Sequence, residues 1–311
     1  MEGPVKSELV FKAGPFVYRY RNDWIHWPAH ISDRTVSGVY CARNGDLYVI
    51  TRNYFHPFLV FSREGEFLRS FGRELNFKGT HGLYITDEGK IWICDTGKHL
   101  VLHMDLQGNV LKTIGHEGKC SETGYDPHVP YPHNMRTIVR TAGPFNRPTR
   151  LMPAPNGDLY CTDGYGNAAV HRFSADGKLI QSWGTPGREP GQFCLPHSIW
   201  VDVNGNVWVA DRDNYRVQVF TGDGQLLRSF ENMCHPNHPR GPADLWGDGR
   251  YVYASLQYGG IAVFSLDIRW LAVIGQSLML PMGHSMCGDA DGNLYVGMLN
   301  TDETVLKLER L

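Results

Sequence analysis

Short runs of apolar and aromatic residues, each entered through a glycine-containing turn, recur along the whole chain. Aligned on the turn they read NGDLYVI, EGKIWIC, NGDLYCT, NGNVWVA, DGRYVYA and DGNLYVG, with glycines at 45, 89, 157, 205, 249 and 292. Alternation after each glycine predicts a strand. The Asn-Gly or Asp-Gly pairs predict tight hairpins leading into it. The intervals are 44, 68, 48, 44 and 43 residues, one period with a single long insertion. In the fourth unit PHSIWVDV, NGNVWVAD, YRVQVFTGDG and QLLRSF give four strands in succession. Four strands per unit of roughly 40 to 45 residues is the signature of a propeller blade. The expected fold class is therefore all-β: a six-bladed β-propeller forming a single domain over residues 1–311.

The last unit, HSMCGDADGNLYVGMLNTDETVLKLERL, holds only three strands before residue 311. The strand-like segment PFVYRYRNDW near the N-terminus is expected to supply the fourth, so that the N-terminal strand closes the last blade. The long interval carries an insertion at about 116–146 between the outer strand of blade two and the inner strand of blade three. It is expected to rise over one mouth of the central channel, where Tyr125, His128, Tyr131, His133 and Arg136 could form a lid.

Charge and cysteine usage narrow the partners. Lys and Arg total 30 against 32 Asp and Glu, which offers no electrostatic footprint for nucleic acid or a membrane surface. No run of about 18 apolar residues exists to span a bilayer, and the N-terminus lacks the apolar segment and cleavage site of a leader. Seven cysteines without a CxxC pair read as free thiols. A soluble, cytoplasmic protein with a small-molecule partner is expected; the oligomeric state is not legible in the sequence.

Candidate chemistry lies in positions shared by the repeats. Eight residues before each glycine stand Ser37, His81, Thr149, His197, Gly241 and His284, so histidine occupies blades two, four and six. This position opens the innermost strand of each blade, and alternate blades of a six-fold ring are about 120° apart. Three imidazoles would converge on the axis. A three-His set with an open fourth position is the donor arrangement of catalytic zinc sites. Seven residues after the glycine, at the same mouth, stand Arg52 in blade one and Arg212 in blade four, and one residue further on in blade three stands Tyr165. Guanidinium forks beside a metal suit a substrate carboxylate. Asp211, Asn214 and Arg216 around Arg212 also read as a brace internal to the blade.

These residues resemble the NHL-repeat propellers, and within them the chain is similar to the peptidyl-α-hydroxyglycine α-amidating lyases (peptidylamidoglycolate lyases) over about residues 36 to 310. The resemblance implies zinc, or another divalent transition metal, on His81 in THGL, His197 in LPHS and His284 in MGHS. It implies a catalytic tyrosine at Tyr165 in Asp163-Gly164-Tyr165, and site residues at Arg52, Arg212 and Met282. Two departures stand out. Gly283 and Ser285 replace a proline and the aspartate that binds a structural calcium in the family, which leaves calcium doubtful although carbonyls of Val39 and Leu83 match its other ligands. Gly166 stands where the family has a disulfide cysteine, in keeping with a non-secreted chain.

The expected function is a metal-dependent C–N lyase acting on a small carbinolamide-like substrate, an α-hydroxy amide or amine, that carries a carboxylate. Tyr165 and Met282 would be catalytic, Arg52 catalytic and substrate-binding, and Arg212 substrate-binding. Two alternatives stay open: a metal-hydroxide hydrolase of a small amide, lactone or imine-like bond, and a non-enzymatic propeller that binds proteins.

Overall fold

The computed structural model describes residues 9–21, 23–238, 240–276, 283–299 and 304–311. Five four-stranded antiparallel sheets and one five-stranded sheet form the six blades of a β-propeller. Their inner strands are Val36–Cys41, Thr80–Ile85, Pro148–Pro153, Pro196–Val201, Pro242–Gly247 and Gly283–Gly288. Each inner strand is buried almost throughout, whereas an outer strand such as Leu179–Trp183 is half exposed. The second strands, entered after the glycines, are buried throughout as well, as in Leu47–Thr51 and Val207–Asp211, so the alternation expected there is not found: these strands pack on both faces inside the blades.

Blade six is closed as expected. The N-terminal strand Phe16–Arg21 pairs antiparallel with the C-terminal strand Val305–Arg310, Tyr18 opposite Arg310 and Tyr20 opposite Leu308. A further strand, Val10–Ala13, adds a fifth to this sheet and was not legible in the sequence. Joining the two ends in one sheet leaves no open solenoid end to cap.

Buried carboxylates at the ends of the second strands hold the segments that lead into the channel. Asp211 accepts hydrogen bonds from the backbone N–H groups of Cys194 and Leu195 at 3.0 and 3.1 Å, just ahead of His197. It also pairs with Arg216 at 3.0 Å and Asn214 at 2.7 Å, which is the expected brace. Asp163 does the same for Asn146, ahead of Thr149. At the mouth away from the histidines, Tyr40, Tyr84, Trp200 and Trp246 form a chain of aromatic contacts around the channel, with ring centroids 5.2, 6.2 and 6.3 Å apart.

Candidate metal centre

The pairing register changes by one residue near the start of every inner strand. The unpaired residue is Ser37, Thr149, His197, Ala243 or His284, and in blade two it is Gly82, next to His81. A β-bulge twists the strand and re-aims a side chain. Here it turns the opening residues of the inner strands towards the axis. Blade five corrects the spacing argument: Ala243, not Gly241, stands at the second position of its inner strand, because its hairpin into Gly249 is two residues shorter.

His81, His197 and His284 are all buried and their ring nitrogens lie within 4.8 Å of one another. Their rings stand nearly perpendicular in every pair, at 80 to 89°. Each Nδ1–H donates to a main-chain carbonyl on the next blade: His81 to Thr149 at 2.7 Å, His197 to Ala243 at 2.5 Å and His284 to Ser37 at 2.9 Å. The acceptors are the three members of the same register that are not histidine. A carbonyl can only accept, so the proton is fixed on Nδ1 and the lone pair on Nε2.

The donor set fits a metal. Nε2 of His81 and Nε2 of His197 face each other at 3.2 Å, two lone pairs that repel unless a cation lies between them. His284 Nε2 is buried without a hydrogen-bond partner. Nε2 atoms sharing a tetrahedral ion at bonds of about 2.0 Å would lie roughly 3.3 Å apart. Burial drives the His81 pKa down to about 3, with Arg52, Arg212 and Arg150 adding to it, and takes His197 and His284 well below the usual value. Neutral imidazoles are the form that binds metal. Among the described residues this is the one cluster of its kind.

Tyr165 and Arg212 join the cluster. The Tyr165 hydroxyl lies 2.9 Å from His197 Nε2 and 3.3 Å from His81 Nε2, and Arg212 Nη1 lies 3.4 Å from the same oxygen. Arg212 is 5% exposed and turned into the channel, while the brace falls to its neighbours Asp211 and Arg216. Burial works against its charge, but Tyr165, Asp213 and Tyr131 outweigh this and raise its pKa. Tyr131 comes from the insertion: it donates to Asp213 at 2.9 Å and accepts from Arg212 Nη2 at 3.2 Å. Arg52 stands apart. It is exposed, with no side-chain partner among the described residues, although its charge reaches His81 and His284. Met282 lies outside the described residues.

Sequence reasoning missed the pair beneath the histidines. Arg150 and Asp244, both buried, form an ion pair across the channel from blade three to blade five. Asp244 also accepts from Ser198 and from the Met286 backbone N–H at 2.8 Å. With Val39, Leu83 and Ser285 they line a chamber of about 10 Å³, little more than one water can fill. Arg150 thus lines the same chamber as Val39, Leu83 and Ser285, the positions through which the resemblance would hold calcium, and its charge opposes a second cation there. The available signal was two opposite charges in inner strands that are otherwise small or apolar. Among the described residues this ion pair crosses the channel on one side of the histidines, and Tyr165 and Arg212 stand at them with the insertion's Tyr131.

Fold and site together define a six-bladed propeller with a channel histidine centre. The NHL repeat model matches residues 193–220. NHL repeat-containing protein 3 of Mus musculus is 30% identical over 253 residues, covering 76% of this chain and 67% of that protein, and the chain belongs to this family of NHL-repeat proteins. It is also 32% identical over 181 residues to a probable peptidyl-alpha-hydroxyglycine alpha-amidating lyase of Caenorhabditis elegans, covering 57% of this chain and 46% of that protein. Among solved structures a streptogramin B lyase shares the fold, with a TM-score of 0.59, 14% identity and coverage of 99% and 96% of the two chains. No helix is long and apolar enough to cross a membrane among the described residues.

Proposed function

We propose that the chain is a metal-dependent lyase that breaks the C–N bond of a small α-hydroxy amide or amine carrying a carboxylate. The observation that carries this reading is the Tyr165 hydroxyl, 2.9 Å from a metal-donor nitrogen of His197 and 3.4 Å from a buried guanidinium. A divalent metal such as zinc on His81, His197 and His284 would act as a Lewis acid that increases the acidity of the substrate hydroxyl.

The chain's own groups account for the remaining steps. Arg212, held by Asp213 and Tyr131, and the exposed Arg52 bind the substrate carboxylate and hold the carbinol carbon against Tyr165. Tyr165 acts as the base that removes the hydroxyl proton. The C–O electrons form a carbonyl, the C–N electron pair leaves with nitrogen, and Tyr165 returns the proton to that nitrogen. The products are an aldehyde acid and the free amide or amine. Water is neither consumed nor formed, which separates this reaction from the hydrolase alternative. A non-enzymatic platform would leave the opposed Nε2 atoms without a purpose.

The test is turnover of α-hydroxyhippurate to benzamide and glyoxylate by metal-loaded protein, with Tyr165→Phe as the control. Loss of roughly 10²-fold or more in kcat with metal content unchanged is expected. Wild-type turnover in that variant would remove Tyr165 from the mechanism.

A further inference from the structure

A cleft of about 260 Å³ lies between the insertion and the loop that enters blade four. Its floor is apolar and buried: Met135 and Ile138 from the insertion, Ala168, and Phe193. Tyr165 packs against the same apolar cluster that holds Met135, Ile138, Ala168 and Phe193. Ala168 follows Tyr165 by three positions, Cys194 precedes His197 by three, and the Leu195 carbonyl accepts from the Arg212 backbone N–H at 2.9 Å. Two guanidiniums, Arg136 from the insertion and Arg188 from the blade-four loop, also line the cleft. Both are exposed, and neither side chain has a hydrogen-bond or ion-pair partner among the described residues.

An apolar floor beneath two unpaired positive charges is complementary to one kind of ligand. We propose that this cleft is a subsite for an apolar chain ending in a carboxylate, and that it receives the end of the substrate remote from the bond that breaks. This rests on the histidine centre being the reacting site. The apolar chain lies against Met135, Ile138 and Phe193, where it displaces water from buried surface, and its acid end meets Arg136 and Arg188. Cys194 takes no covalent part. Burial, with Asp213 and Asp211, pushes its thiol up to about 12, so almost no thiolate exists near neutrality. The insertion thus does two things: Tyr131 clamps Arg212, and Met135, Arg136 and Ile138 form one wall of the subsite.

The probes are octanoate and its neutral isostere octanamide, measured by calorimetry on the metal-loaded full chain. Octanoate is expected to bind about ten-fold or more tightly than octanamide, a difference of about 1.4 kcal/mol. Arg136→Gln combined with Arg188→Gln, both at exposed positions, should abolish that preference and leave octanamide affinity unchanged. Ile138→Trp, which fills the cleft, should weaken both ligands. Equal binding of the two ligands by the wild type, or a preference that survives the double substitution, overturns the proposal. His197→Ala separates this subsite from the lyase reading. Octanoate binding retained in that variant supports the cleft whether or not any lyase activity is found; binding that vanishes there while the fold persists would place octanoate on the metal and sink the subsite.

Discussion

His284 Nδ1 donates to the Ser37 carbonyl at 2.9 Å, joining residues 247 positions apart. It is the bond that carries the histidine register across the seam where the ring closes, from blade six back to blade one. With the corresponding bonds from His81 to Thr149 and from His197 to Ala243, every second blade orients its imidazole through the backbone of the next. The centre exists only when the ring is closed.

Removing one donor should therefore empty the site. His197→Ala is expected to reduce tightly bound transition metal from about one ion per chain to none, measured by inductively coupled plasma mass spectrometry on untagged protein. Metal content equal to that of the wild type would mean that the ion binds elsewhere.

Gly82 adjoins the blade-two histidine at φ +48°, and a Cβ there would lie 2.1 Å from the Thr149 carbonyl oxygen and 2.6 Å from Arg150 Cα. Blades two and three can approach this closely only because the side chain is absent. Gly82→Ala should cost at least about 2 kcal/mol in denaturant unfolding and weaken metal binding by pushing the Thr149 carbonyl away from His81. An unchanged midpoint would show that the backbone relaxes freely at this contact.

The Arg150–Asp244 pair is buried on both sides. Arg150→Met leaves a carboxylate buried without its partner and should destabilise the protein by about 3 to 5 kcal/mol. Adding Asp244→Asn should recover part of this, because the amide oxygen still accepts from the Met286 N–H. If the double variant is no more stable than the single one, charge is not what the pair contributes.

His81 has its pKa depressed from 6.5 to about 3 by burial. A histidine held neutral in the fold binds fewer protons than in the unfolded chain, so its stabilisation is complete above pH 6.5 and is lost as pH falls towards 3. Metal-free protein should lose stability steadily over that window, as read from urea midpoints. The slope should be shallower in His81→Gln. Identical slopes in the two proteins would count against a buried neutral imidazole.

Much of this was legible from period alone. A residue's place in a blade is repeated six times, so the strands, the blade count, the closing N-terminal strand and the convergence of His81, His197 and His284 could all be read by counting from glycines. Counting failed in blade five, where a shorter hairpin moved the register to Ala243. It was also silent on Arg150 and Asp244, which belong to different blades and meet only across the channel. Local pattern encodes which residues face the axis, because strand alternation and hairpin chemistry act over a few positions. The contacts between blades depend on ring closure, which brings residues far apart in the chain to hydrogen-bonding distance. Tyr131 from the insertion meets Arg212, and the Ser37 carbonyl meets His284; only the tertiary structure could decide either.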